Sequence, residues 1–246
     1  MSTWSKLSYQ HDYLAIAQGD VNYYSSVQKF GANFDVSSNS DPESVWSAGG
    51  LYPWASLDAA ETLYIISTDT GDTDTILLEG LDANYLPLTE TVQMAGQTAV
   101  ATVNQFKRIY RMEYNHGNIN AGTVTARTVS GTGVVVAQVD PTLAQTLMAV
   151  YTVPAGFTGY LLNLDFSVNK GKDAQCRLYA REFSRSFRIK HLTEVYESSY
   201  RYDFTVPLHL PEKTDIDIIA YQVESANTRV SCNFDLILVD NARPNH

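Results

Sequence analysis

The residues that could do chemistry lie mostly in turns. Asp69, Asp72 and Asp74 fall in Ser67-Thr-Asp-Thr-Gly-Asp-Thr-Asp-Thr75, a run that looks like part of a calcium loop. It lacks the 1, 3, 5 ligand spacing and the closing glutamate of an EF-hand, so a polar hairpin tip is expected there. The five histidines, His11, His116, His191, His209 and His246, are scattered. His116 sits in Tyr114-Asn-His-Gly-Asn118, a place where a base could reside. Asn, His and Gly all tolerate turn geometry, however, and a solvated turn histidine is the expectation. Carboxylates are abundant, but a glycosidase pair must meet in space across roughly 5–10 Å, which chain spacing does not show. No phosphate-binding loop, dinucleotide fingerprint, nucleophile elbow or His-Glu-x-x-His pattern occurs. The expectation is no catalytic residue, no cofactor and no metal.

The elements that would carry these turns are strands. From Tyr160 to Val168 the apolar set is Tyr160, Leu162, Leu164, Phe166 and Val168, separated by Leu161, Asn163, Asp165 and Ser167. Tyr202, Phe204, Val206, Leu208 and Leu210 repeat the alternation, as do Val230, Cys232, Phe234, Leu236 and Leu238. A period of two over nine residues predicts strands with one buried and one wet face, as in antiparallel sheets. Earlier candidate strands are 21–30, 62–67, 75–79, 86–94, 98–103, 108–114, 122–128 and 133–139. Turn chemistry punctuates them at Asp69-Thr-Gly-Asp72, Leu81-Asp-Ala-Asn84 and Met94-Ala-Gly96. Asp140-Pro-Thr-Leu-Ala-Gln-Thr146 could instead make one helical turn, with Asp140 as N-cap and Pro141 following.

Composition agrees with an all-β protein. The chain has 246 residues, 44% hydrophobic and 18% charged, enough apolar mass for a core and too little charge for bulk disorder. No apolar run reaches the roughly 18 residues of a membrane helix, and the first residues lack a signal-peptide core. The net charge of −10 argues against general nucleic-acid binding. Residues 1–139 carry 14 acids and 6 bases, whereas residues 140–246 carry 13 acids and 11 bases. That shift suggests an arm (1–20) and two antiparallel, jelly-roll-like β-sandwich domains, 21–139 and 140–246. The alternative is one large sandwich with long crossovers. Cys176 and Cys232 share faces with inward apolar residues, so buried, reduced thiols from a reducing cytoplasm are expected.

Two groups of residues point to contacts. Trp4, Tyr9 and Tyr13 sit in the N-terminal segment, and Tyr23, Tyr24, Trp46, Tyr52 and Trp54 follow. Tyr and Trp are favoured at interfaces because they bury a large rigid area and keep a polar handle. Residues 170–201 hold eight bases against four acids. If two hairpin strands pair there, Arg177, Arg181, Arg188 and Lys190 are expected to share one outer face and to dock on an acidic surface. The alternative is local pairing with Glu182, Glu194 and Glu197. Tyr110, Met112 and Tyr114 form the one short candidate row for a carbohydrate-binding face.

A resemblance sharpens this. Tyr151-Thr-Val-Pro-Ala-Gly-Phe-Thr-Gly-Tyr160 looks like the turn that opens a strand in β-sandwich modules of tailed-bacteriophage structural proteins. Thr62-Leu-Tyr-Ile-Ile-Ser-Thr68, Ile76-Leu-Leu-Glu-Gly-Leu-Asp-Ala-Asn-Tyr85, Asn120-Ala-Gly-Thr-Val-Thr-Ala-Arg127 and Leu210-Pro-Glu-Lys-Thr-Asp-Ile216 are similar to pieces of virion proteins of aquatic phages. The resemblance covers most of residues 60–240 and brings no catalytic residue with it. It implies a non-enzymatic virion protein, first of all an accessory protein decorating or cementing the head, with the major capsid protein as partner. A tail or fibre component, adaptor or receptor-binding, is the runner-up. A carbohydrate-binding sandwich or a polysaccharide-degrading spike is more remote. Homo-oligomers, trimers among them, are expected in the virion, with neither nucleic acid nor membrane as partner.

Overall fold

The structure, a computed structural model, describes residues 9–37, 41–114, 118–222 and 226–244. It opens with helix α1 (Tyr9–Gln18), then strands β1 (Tyr24–Val36) and β2 (Glu43–Ser44). Seven strands follow: β3 (Glu61–Ser67), β4 (Thr75–Leu81), β5 (Pro87–Gln93), β6 (Val100–Phe106), β7 (Arg108–Tyr114), β8 (Val124–Arg127) and β9 (Val135–Val139). The last seven are β10 (Val150–Thr152), β11 (Phe157–Val168), β12 (Asp173–Arg181), β13 (Arg188–Tyr196), β14 (Ser199–Leu210), β15 (Asp215–Gln222) and β16 (Thr228–Asp240). All the pairings between these strands are antiparallel.

The strands make two sandwiches, one nested in the other. In the outer one, a sheet of order β1-β16-β11-β14 faces a sheet of order β10-β15-β12-β13, with β2 also beside β15. Phe166, Phe234, Leu164, Leu178 and Ile218 are fully buried between them. The inserted sandwich stacks β6-β3-β8-β9 on β5-β4-β7, around Leu63, Ile65, Ile76, Leu78 and Met112. Because β1 pairs with β16 over almost its whole length, residues 24–36 belong to the sheet built from the C-terminal strands. The expected division at 21–139 and 140–246 therefore differs from the pairing, which places the insertion between β2 and β10. The expectation rested on charge and strand regularity, neither of which registers a pairing between the two ends of a chain.

The insertion hangs from a short two-stranded stem. Ser44 lies opposite Ile219 and Val150 opposite Asp217, so β2 and β10 lie end to end along one edge of β15. Between them the chain turns out of the sheet. Val45 N–H donates to Ile218 O at 2.7 Å, Ala149 N–H donates to Val45 O at 2.9 Å, and Trp46 bridges Met148. Gly31 of β1 packs on the base of this stem. A Cβ there would stand 2.2 Å from Ala149 N and 2.4 Å from Val45 O, so only glycine fits.

Several local expectations change. Residues 140–146 form no helix; Thr142 and Ala144 have φ of 67° and 58°, and Thr142 N–H is drawn to Asn120 O. The expected arm instead contains α1, ended by Gly19 (φ 78°) with Gly19 N–H on Ile16 O and Asp20 N–H on Ala15 O. That double bond is the Schellman ending glycine favours. On β11 a bulge between Leu161 and Asn163 shifts the register against both neighbours. Leu161 is buried, while Tyr160 and Leu162, expected inside, are half-buried on the other face. Opposite the bulge, Val206 of β14 is 79% exposed rather than inward. The Pro154–Gly156 turn does open β11 as expected, with Gly156 at φ 80°. Cys176 and Cys232 are free and buried in the outer core.

Candidate functional site: the joint between the sandwiches and the clefts beside it

The inserted sandwich lies over the outward face of β15, where Asp215 and Asp217 alternate with the core residues Ile216 and Ile218. Both carboxylates are therefore buried between the two sandwiches. Arg108, at the start of β7, donates Nε to Asp215 Oδ1 at 2.9 Å and Nη2 to Oδ2 at 3.1 Å. Its Nη1 caps the carbonyls of Leu57 and Lys107 at 2.7 and 2.8 Å. Arg181, from β12, reaches the same carboxylate from the outer sandwich, with Nη2 2.6 Å from Oδ2. Thr152 Oγ1 donates to Oδ1 at 2.6 Å. One carboxylate thus joins two guanidinium groups, the fork geometry arginine is suited to.

Asp217 is held differently. Its Oδ2 accepts Trp54 Nε1 at 2.8 Å and Ser44 Oγ at 3.1 Å, while Oδ1 has no hydrogen-bond partner. Burial pushes this carboxyl up to about 7, against the two hydrogen bonds that favour the charged form. Tyr52 and Trp54 stack edge-on at 4.7 Å, and Tyr52 meets Trp46 at 5.2 Å. All three rings are buried, so these aromatics serve the joint rather than an outside partner. On the far side Lys29 of β1 donates Nζ to the carbonyl of Tyr110 on β7. Burial, helped by nearby Arg111, lowers the Lys29 ammonium to about 7.

The cations expected on one strip do not share a face. A bulge after Leu178 sets Tyr179 opposite Ile189 and Ala180 opposite Arg188. Arg177 and Arg181 therefore point away from the core face, while Arg188 falls in register with the inward Ala180 and Lys190 lies in the bulge. Arg177 stacks 4.1 Å over the Tyr221 ring, and Arg181 is committed to Asp215. Lys190 pairs with Glu182 at 3.8 Å. Two clefts flank the β12–β13 turn. One, of about 190 Å³, is lined by Asp58, Tyr85, Arg108, Arg181, Arg185 and Lys213, among others. The other, of about 420 Å³, is lined by Arg185, Arg188, Lys190 and Glu182.

A third feature lies on the open face of the β1 sheet. Tyr13 and Leu14 of α1 are 43% and 57% exposed, above a groove of about 700 Å³ lined by Leu162, Phe204, Pro207 and Ile237. A second groove of about 430 Å³ continues past Tyr160 and Val239 and shares Tyr13, Leu162, Pro207 and Ile237. Trp4 lies outside the described residues, and Tyr9 opens α1.

The remaining chemical candidates are structural. Asp72 is buried, accepts Ser67 Oγ at 2.5 Å and the N–H groups of Ala121 and Gly122, and so ties the β3–β4 connection, which crosses between two sheets and is not the expected hairpin tip, to the β7–β8 loop. Asp69 and Asp74 bond Gly71 N–H and Asn118. Among the described residues no cluster of three His, Cys, Asp or Glu could hold a metal. His116 lies outside the described residues; His209 meets the Tyr160 ring. His191 stacks on Tyr202 at 4.3 Å, its Nε2 buried without a partner, and burial lowers its pKa. Met112 and Tyr114 are buried and Tyr110 packs on Tyr151, so the carbohydrate-type aromatic row does not exist as an exposed surface. Sequence reading passed over Arg108, Asp215, Asp217 and Lys29. The available signal was Asp215-Ile-Asp217-Ile218, two acids alternating inside an otherwise apolar strand.

No family model matches the sequence, and no curated protein matches it. Among solved structures, the infectious bursal disease virus Gx strain aligns over 90% of this chain and 74% of that chain, at 9% identity and a TM-score of 0.25. A subviral particle of infectious bursal disease virus VP2 aligns over 91% and 73%, at 9% identity and a TM-score of 0.23. The likeness is to proteins of virus particles, at a level that places no residue of one chain on the other.

Proposed function

We propose that this chain is a non-enzymatic structural protein of a tailed-phage virion, assembled in many copies on the head surface as a decorating or cementing subunit. The observation that carries the reading is the apolar double groove on the β1 sheet. A sheet face with Leu162, Pro207, Ile237 and Val239 along it, only partly roofed by α1, offers a surface for a partner rather than for water. The buried charges are engaged in holding two sandwiches together, which suits a rigid building block. The pieces between residues 60 and 240 that resemble aquatic-phage virion proteins point the same way.

The test is incorporation and copy number. Deleting residues 2–16, which removes Trp4, Tyr9, Tyr13 and Leu14, is expected to leave a folded protein that no longer joins particles. Normal incorporation of the deleted form would overturn the docking role of the segment. Quantified in purified particles, a copy number on the order of hundreds supports the head, and roughly six to eighteen transfers the protein to the tail. Absence from particles overturns the reading altogether.

A further inference from the structure

We propose that the basic surface around the β12–β13 turn is a docking site for the acidic inserted sandwich of a second copy of this chain. The proposal rests on the multi-copy reading above and names the contact that would join the copies. Six cationic side chains line the two clefts that flank the turn, Arg108, Arg181, Arg185, Lys213, Arg188 and Lys190, against the carboxylates Asp58, Glu182 and Asp215. Asp215 is already saturated by Arg108 and Arg181. Arg185, Arg188 and Lys213 form no ion pair among the described residues, and Lys190 has only Glu182 at 3.8 Å. A surplus of cations is thus concentrated at one place in a chain whose net charge is −10.

The site is shaped before anything binds. Tyr85, Ser184 and Lys213 hold φ of 64°, 59° and 59°, a conformation that costs energy in non-glycine residues. Phe183 is 56% exposed at the tip and meets Tyr85 edge-on at 5.9 Å. Lys213 lies 5.2 Å over the Phe183 ring and 5.9 Å over Tyr85, and Lys107 lies 5.7 Å over Tyr85. Both rings therefore have cations close over them. What the surface presents is positive charge around an exposed aromatic tip, the composition of a protein-binding hot spot. The complementary surface is on the chain itself: residues 46–148 contain ten acids and four bases. Of those bases Arg108 is buried in the joint and Arg111 sits against Glu79 and Glu113 at 3.5 Å.

The experiment is sedimentation of the purified full-length chain at about 50 mM and about 500 mM salt, where screening shortens from over 10 Å to a few ångströms. The wild type is expected to self-associate at low salt and to dissociate at high salt. The pair Arg185→Glu and Lys213→Glu is expected to weaken association at least about tenfold, with circular dichroism reporting the fold. Should that pair fail to fold, Arg188→Gln with Lys190→Gln, on exposed positions, is expected to weaken association in the same direction. A wild type monomeric at both salts, or variants that associate equally, would overturn the proposal. So would a monomeric wild type that binds heparin or an oligonucleotide through these cations, which would assign the surface to another polyanion. Incorporation into particles is scored separately, so a failed self-contact and a failed virion role are told apart.

Discussion

Arg108 and Asp215 belong to different sandwiches, yet the guanidinium of one grips both carboxylate oxygens of the other at 2.9 and 3.1 Å. With Arg181 on the same carboxylate, this contact ties the inserted sandwich to the outer one beside β10, three residues along β15 from the stem's contact at Ile218. Removing Asp215 leaves two arginines facing each other in a dry joint. Asp215→Ala is expected to cost about 3–5 kcal/mol in denaturant unfolding, the scale for an orphaned buried ion. Arg108→Ala should cost less, because Arg181 and Thr152 still satisfy the carboxylate. An Asp215→Ala loss below about 1 kcal/mol would show that the triad does not hold the joint.

Asp217 and Lys29 give the stability curve opposite slopes on the two sides of neutrality. The Asp217 carboxyl is raised from 3.8 to about 7, so folding is opposed progressively between those pH values and fully above them. The Lys29 ammonium is lowered from 10.5 to about 7, so its penalty is full below pH 7 and is relieved as the pH rises toward 10.5. Asp217→Asn keeps an oxygen for Trp54 and Ser44 and is expected to gain about 2–4 kcal/mol at pH 8 relative to its effect at pH 4. Lys29→Met should show its advantage at pH 6 and lose it by pH 10. Stabilities of the two variants that track the wild type across this range would refute both assignments.

Gly31 tests the stem. With backbone atoms of Ala149 and Val45 at 2.2 and 2.4 Å from the position of a Cβ, Gly31→Ala must push β1 off the stem. A loss of about 3 kcal/mol is expected, at the upper end for overpacking. Faster amide exchange at residues 45–47 and 147–149 should accompany it, since that is where the displacement lands. Unchanged exchange there would place the strain elsewhere.

The thiols should be silent in the folded protein. Burial pushes Cys176 up to about 12 and holds Cys232 well above the ordinary thiol range, and both lie in the outer core. Thiolate is the reactive form, so an alkylating reagent at pH 8 is expected to label neither until the chain is denatured. Rapid labelling under native conditions would mean that the outer sandwich opens between β12, which carries Cys176, and β16, which carries Cys232.

The strands were legible because their signal is local. Alternation of apolar and polar residues follows from the two-residue repeat of a pleated strand, and 75–79, 108–114 and 133–139 land within two residues of the β4, β7 and β9 bounds. The inward facing of Cys176 and Cys232 follows from the same period. Helix α1 had a local signal too, in Leu14-Ala-Ile-Ala-Gln-Gly19, whose ending is marked by the glycine. The bulge at Leu161–Asn163 had none, because Leu161 and Leu162 are equally apolar and only the strands on either side decide which one turns inward.

What the tertiary structure alone decided is everything that depends on partners distant in the chain. The pairing of Tyr24 with Val239 puts β1 among the C-terminal strands and turns two apparent consecutive domains into one sandwich carried inside another. No composition window registers that, since a sheet edge accepts a strand by backbone hydrogen bonds that any sequence can supply. Asp215 and Asp217 look like the wet face of a strand until the insertion covers them, at which point each must find a donor or remain protonated. Arg181 looked like a free surface cation for the same reason. Its charge was legible in the sequence; that the charge is spent on Asp215 follows only from the fold.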